Sequence, residues 1–161
     1  MRGDLAVRGG LAGDGAMTIS HALFSSDSLE WVTPPDVFAR ISAKYGPFDL
    51  DPCATPASAK CKRYFTKLDD GLLQPWAPAR VFMNPPYGRA IRHWVAKAAY
   101  EAERGAYVVC LIPARTDTSY WHDYCMTGQI EFLRGRISFQ RHDGSTGRAP
   151  FPSAIVAFGL C

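Results

Sequence analysis

Four residues in the middle of the chain, Asn84-Pro85-Pro86-Tyr87, combine types that suit one particular reaction. An amino group attached to an aromatic ring is a weak nucleophile because its lone pair is delocalised into the ring. Two acceptors, the Asn84 side-chain oxygen and the Pro85 carbonyl, could hold its two hydrogens and draw the lone pair out of conjugation. Each proline fixes its φ and removes a backbone donor, so the turn presents its carbonyls rigidly. Tyr87 adds a face on which a planar base can stack, an interaction worth roughly 1–3 kcal/mol per base in comparable sites. The nitrogen so prepared would displace a methyl group from a sulfonium donor in line. Such a donor is activated by its own positive charge, so positioning supplies much of the rate. A base inside a duplex is reached only by flipping it out of the stack. Taken alone, the same four residues also make an ordinary turn after a strand, so their surroundings decide.

Those surroundings place the motif well. Arg80-Val81-Phe82-Met83 reads as a strand running directly into it, and a helix is expected over 90–104 with Ile91, Trp94, Val95 and Ala98 on one face and Gly105 past its end. The motif therefore falls at the carboxyl end of a strand, where open α/β sheets collect ligands. Upstream, Thr33 is expected to cap a helix with Pro34 at its first position, Val37, Phe38, Ile41 and Tyr45 at helical spacing, and Gly46-Pro47 at its end. Phe48-Asp49-Leu50-Asp51-Pro52 reads as a short strand with both acids on one side, and 53–78 as irregular. Ala106–Ile112 is a continuous apolar run, the pattern of a strand buried on both faces, and Pro113 stops it. Thr116-Asp117-Thr118-Ser119 precedes a short aromatic helix over 120–124; 129–132, 136–139 and 154–158 read as strands, with a basic hairpin loop over 134–148. Strands and helices alternate and then strands accumulate, which implies a three-layer α/β sheet with antiparallel C-terminal edge strands.

Composition sets the bounds. The chain of 161 residues fits one domain, read here as 21–161 behind an N-terminal extension over 1–20, with Met17 a plausible natural start. Hydrophobic and charged contents of 47% and 20% describe a folded chain, and no apolar run is long enough for a membrane-spanning helix. The net charge of +3 permits a nucleic-acid partner without requiring one. Arg134, Arg136, Arg141, His142 and Arg148 form one basic cluster, and Lys60, Lys62, Arg63 and Lys67 another. Either cluster is a phosphate grip or a solvated face. Five cysteines at spacings that match no common zinc pattern imply reduced thiols, a cytoplasmic setting and no metal site.

The order of these pieces resembles the phage-type DNA N-6-adenine methyltransferases. The resemblance runs over Trp31-Val32-Thr33-Pro34, Phe48–Ala54, Asp70-Gly71-Leu72 with Trp76, Asn84-Pro85-Pro86-Tyr87, Leu111–Thr118 with Trp121, and Phe132–Phe139. It implies a Rossmann-like class I methyltransferase fold, S-adenosylmethionine as cofactor, adenine N6 in DNA (most simply double-stranded) as target, and a phage or prophage origin in a bacterial host cell. By this resemblance Asn84, Pro85, Pro86 and Tyr87 are catalytic. Trp31, Thr33, Pro34, Asp49, Asp51, Pro52 and Asp70 bind the cofactor; either Asp49 or Asp51 could take the methionine ammonium or the ribose hydroxyls. Trp31 reads equally as a core plug. Arg115, Arg134, Arg136, Arg141 and Arg148 are the candidate DNA contacts. The turn Pro52–Ser58 lacks the glycines many methyltransferases carry there, which fits a catalytically silent DNA-binding module as one alternative; the same Asn-Pro-Pro-Tyr chemistry applied to RNA or a protein glutamine is another. No separate recognition domain fits in this length, so loops around 55–75 and 138–150, or a homodimer, would read the target.

Overall fold

The computed structural model describes residues 31–141 and 143–159. The expected N-terminal extension, His142 and Cys161 lie outside them. Helix α1 (Pro35–Tyr45) leads into strand β1 (Leu50–Asp51). Strand β2 (Arg63–Tyr64) and a 3₁₀ turn at Gly71–Leu73 follow within the stretch read as irregular. Next come β3 (Arg80–Met83), α2 (Ile91–Glu103) and β4 (Tyr107–Pro113). The chain finishes with α3 (Ser119–Asp123), β5 (Gln129–Phe132), β6 (Ser138–Gln140), β7 (Thr146–Arg148) and β8 (Ser153–Phe158).

Six strands form one sheet in the order β2-β1-β3-β4-β8-β5. The first four are parallel, and β8 is antiparallel to both β4 and β5. This is the α/β sheet with an antiparallel edge expected from the sequence. Strand alternation separates two faces. Phe82, Val109, Leu111, Ile155 and Glu131 fall on one face by register. There α1 covers them, with Phe38 edge-on to Phe82 at 5.0 Å and Tyr45 donating to Glu131 Oε2 at 2.5 Å. The opposite face lies under α2, which buries Ile91, Trp94, Val95 and Ala98, and under α3, whose Trp121 stacks on Phe132 at 6.2 Å. Three layers result.

Two local readings are corrected. Thr33 does not cap α1: Pro34 is the N-cap residue, Pro35 opens the helix, and no side chain closes it. The Thr33 hydroxyl is taken by Asn84 instead. The strand expected over 136–139 starts later, at Ser138, because it is set by its hairpin partner β7 in the register Ser138↔Arg148, Phe139↔Gly147 and Gln140↔Thr146.

Candidate active site

Because β1 and β3 are parallel neighbours with Leu50 opposite Val81, their carboxyl ends, Asp51-Pro52 and Met83-Asn84, lie side by side. Beyond them opens a cavity of about 340 Å³, enough for a small organic ligand. Its wall takes in Trp31, Thr33, Asp51, Pro52, Cys53, Lys60, Leu68, Trp94 and the run Asn84-Pro85-Pro86.

Asn84 is held in one orientation. Its Nδ2 donates to the Trp31 carbonyl at 2.5 Å and to Thr33 Oγ1 at 2.9 Å. A backbone carbonyl can only accept, so Trp31 fixes which end of the amide is nitrogen. Val32 bridges Gln140 of β6 through two backbone bonds, which anchors the segment that presents Trp31 and Thr33. Asn84 Oδ1 is left buried with no hydrogen-bond partner. An unmet buried acceptor costs about 1–3 kcal/mol, and this oxygen is free to take a donor. Beneath it, Cys53 Sγ donates to the Asn84 backbone carbonyl at 3.3 Å.

Tyr87 does not reach the cavity wall. It is buried, its hydroxyl donates to the Leu111 carbonyl at 3.1 Å, and Phe139 and Phe151 stand edge-on to its ring at 6.2 and 5.4 Å. Burial pushes its phenol well above the ordinary value. In this arrangement it is a buttress that ties the turn to β4. Trp31 packs on Phe139 and Phe151 and also lines the cavity.

The two acids are separated by the fold. Asp49 is exposed and accepts the Arg80 N–H at 3.0 Å, away from the wall. Asp51 is buried on the wall, where Oδ2 accepts the Lys60 N–H at 3.1 Å and Oδ1 accepts a long contact from the Cys53 N–H at 3.4 Å. Burial raises its pKa to about 6 against the pull of those amides. Pro34 is buried off the wall. Asp70 is also off it: in a left-handed conformation (φ 53°) it accepts the Leu72 N–H at 3.2 Å and heads the 3₁₀ turn. That turn presses Gly71 against Pro52, so closely that a Cβ there would come within 2.0 Å of the Pro52 carbonyl oxygen. Only glycine fits. Trp76 Nε1 donates to the Gly71 carbonyl at 2.8 Å, and its ring stacks on Trp94 at 6.3 Å. The Asp70-Gly71-Leu72 segment thus supports the floor of the cavity.

Some of the cavity's functional groups carry no signal in sequence. Trp94, read there only as core, has its Nε1–H buried without a partner beside the cavity. Of the basic cluster, the fold half-buries Lys60 on the wall, sets the exposed Lys67 at the edge of the same cavity, and leaves Lys62 and Arg63 exposed and off it. The five candidate arginines are all exposed. Arg115 follows β4 and Arg134 follows β5, which the register makes parallel to β4, so both emerge at the same end of the sheet as Asn84. Arg115 lies over Phe151 and Arg141 over Trp31, at 5.8 and 5.9 Å from the ring centroids. Arg136 reaches the Ala149 carbonyl at 3.5 Å. No group of three or more potential metal ligands occurs among the described residues, and no helix among them is long and apolar enough to cross a membrane.

The DNA N-6-adenine-methyltransferase (Dam) family model matches residues 21–156. The chain belongs to this family. Two Dam relatives are DNA N-6-adenine-methyltransferases of bacteriophages. That of Escherichia phage T1 is 29% identical over 136 residues, covering 74% of this chain and 56% of the relative. That of Haemophilus phage HP1 is 28% identical over 148 residues, covering 88% and 84%. The chain thus spans little more than half the length of the first of these. Among solved structures, a precorrin 8w decarboxylase from Methanobacterium thermoautotrophicum covers 84% of this chain and 96% of its own at 12% identity and a TM-score of 0.49. That likeness carries no argument about function. The family expected from the order of motifs is the one found.

Proposed function

We propose that this Dam-family chain methylates the exocyclic N6 of adenine in DNA with S-adenosylmethionine as donor. The observation that carries the reading is the Asn84 amide, its nitrogen fixed by Trp31 and Thr33 and its buried oxygen left unmet beside a ligand-sized cavity. The residues present fit the donor. Asp51 offers a desolvated carboxylate for a cation, Trp94 an unpaired N–H, and the apolar Trp31 and Phe82 a dry lining. When bound, S-adenosylmethionine supplies an electrophilic methyl that needs neither a metal nor an acid. Asn84 Oδ1 and the Pro85 carbonyl accept the two N6 hydrogens of adenine and leave the nitrogen lone pair directed at that methyl. Thr33 and Trp31 position Asn84 rather than touch the base. Since N6 lies within the duplex, the base is flipped before reaction. Stacking of the base on Tyr87 requires Phe139 and Phe151 to leave its ring; otherwise Tyr87 holds the turn. The arginines at the carboxyl end of the sheet face the phosphates.

Transfer of labelled methyl groups tests this reading. The protein is incubated with methyl-labelled S-adenosylmethionine and unmethylated duplex DNA, single-stranded DNA or RNA, and the nucleosides are separated. Label in N6-methyladenine from DNA is expected. Label from RNA alone would move the substrate, and cofactor binding without transfer to any of the three would overturn the reading.

A further inference from the structure

Resting on the donor reading above, a second charge on the cavity wall acquires a role. The donor's amino-acid end carries an ammonium and a carboxylate on one carbon, and Asp51 answers only the first. Lys60 lines the same cavity. Its backbone N–H is bound to Asp51 Oδ2 at 3.1 Å, so the main chain ties the two residues together. Their side-chain charges nevertheless do not meet. The Lys60 ammonium lies 5.9 Å from the Phe38 ring centroid and within ion-pair distance of no carboxylate among the described residues. Asp51 spends its oxygens on the Lys60 and Cys53 amides. Burial lowers the lysine's pKa and raises that of the acid, so each charge is desolvated without the other's direct contact. Opposite charges in one cavity, held apart by the backbone, form a receptor for a zwitterion.

We propose that Lys60 Nζ binds the α-carboxylate of the methyl donor while Asp51 binds its α-ammonium, which makes the cavity selective for nucleoside ligands with an intact amino-acid end. The test is calorimetric and independent of activity. S-adenosylhomocysteine and its decarboxylated form, which lacks only that carboxylate, are titrated into wild type, Lys60→Met and Lys60→Arg. Met keeps an unbranched side chain of similar length and removes the charge; Arg keeps the charge. Wild type is expected to prefer the intact ligand by about 10- to 100-fold, the scale of one charge-assisted hydrogen bond. Lys60→Met loses that preference through weaker binding of the intact ligand alone, and Lys60→Arg retains most of it. A preference that survives in Lys60→Met, or an equal loss for both ligands, overturns the role of Lys60 and leaves the donor reading standing. Wild type that binds neither ligand overturns the donor reading and the inference with it.

Discussion

The Glu101 carboxylate gathers two backbone amides and a lysine. It is 2% exposed on α2. Oε2 accepts the backbone N–H groups of Trp76 and Ala77 at 3.0 and 2.9 Å, and Oε1 takes the Lys97 ammonium at 2.8 Å. Replacement by alanine strands two amides and a mostly buried ammonium. Each unmet N–H costs about 1–3 kcal/mol, and breaking a buried pair costs about 3–5 kcal/mol in total. Against a typical domain stability of about 5–15 kcal/mol, Glu101→Ala is expected to lose about 4 kcal/mol. Glu101→Gln keeps one oxygen for both amides but turns its NH2 toward the Lys97 ammonium, which must swing to the solvent it already partly reaches, so about 1–2 kcal/mol is expected. Urea unfolding followed by tryptophan fluorescence measures both. Burial alone would raise the Glu101 pKa, but the Lys97 bond and the two amides outweigh it and the carboxyl titrates below its ordinary value. Its contribution is therefore present above the usual carboxylate range and lost on acidification through the depressed folded value. An alanine variant within 1 kcal/mol of wild type, or a glutamine variant as damaged as alanine, would show that acceptor geometry is not the larger part of what Glu101 provides.

Three further outcomes follow from the site. Thr33→Val removes one of the two acceptors that orient Asn84, so methylation kcat is expected to fall about 5- to 10-fold, the rate equivalent of one neutral hydrogen bond of ~1 kcal/mol. An unchanged kcat would show that the Trp31 carbonyl alone suffices. Asp51 has a raised pKa, so its stabilising share is complete below the unfolded carboxylate range and is lost as pH rises through about 6. Ligand-free Asp51→Asn is accordingly expected to gain roughly 2 kcal/mol on wild type between pH 4 and pH 8 while losing affinity for S-adenosylmethionine; parallel pH–stability curves would contradict the burial argument. Arg134→Ala and Arg148→Ala are each expected to weaken DNA binding across sequences and to lower the salt slope by about 1; slopes equal to wild type would mark them as solvated surface.

The parts legible in sequence are those whose signal is local. The apolar run of β4 announces a doubly covered strand because all seven of its residues are buried. The helical spacing of Ile91, Trp94, Val95 and Ala98 survives as the buried face of α2. The motif Asn84–Tyr87 is legible at a strand's carboxyl end because a strand pattern, β3, runs straight into it. What was illegible depends on partners distant in sequence. Thr33 has the residue type of a helix cap, and only Asn84, 51 positions away, shows why it is not one. Tyr87 offers a stacking face until Phe139 and Phe151 return over it. Strand β7, Thr146-Gly147-Arg148, has no apolar alternation and is a strand only through pairing with β6. Lys60 is indistinguishable from its basic neighbours until the wall of the cavity half-buries it.

Asn84 Oδ1 is expected to accept a hydrogen of the amino group being methylated. Single-turnover methylation of duplex DNA with Asn84→Ala, with S-adenosylmethionine affinity measured on the same preparation, decides it. Cofactor affinity is expected to stay within about 3-fold of wild type while the chemical step slows by at least ~100-fold, the scale seen when one preorganised hydrogen-bonding group is removed from a reacting centre. Near wild-type formation of N6-methyladenine by Asn84→Ala would contradict it.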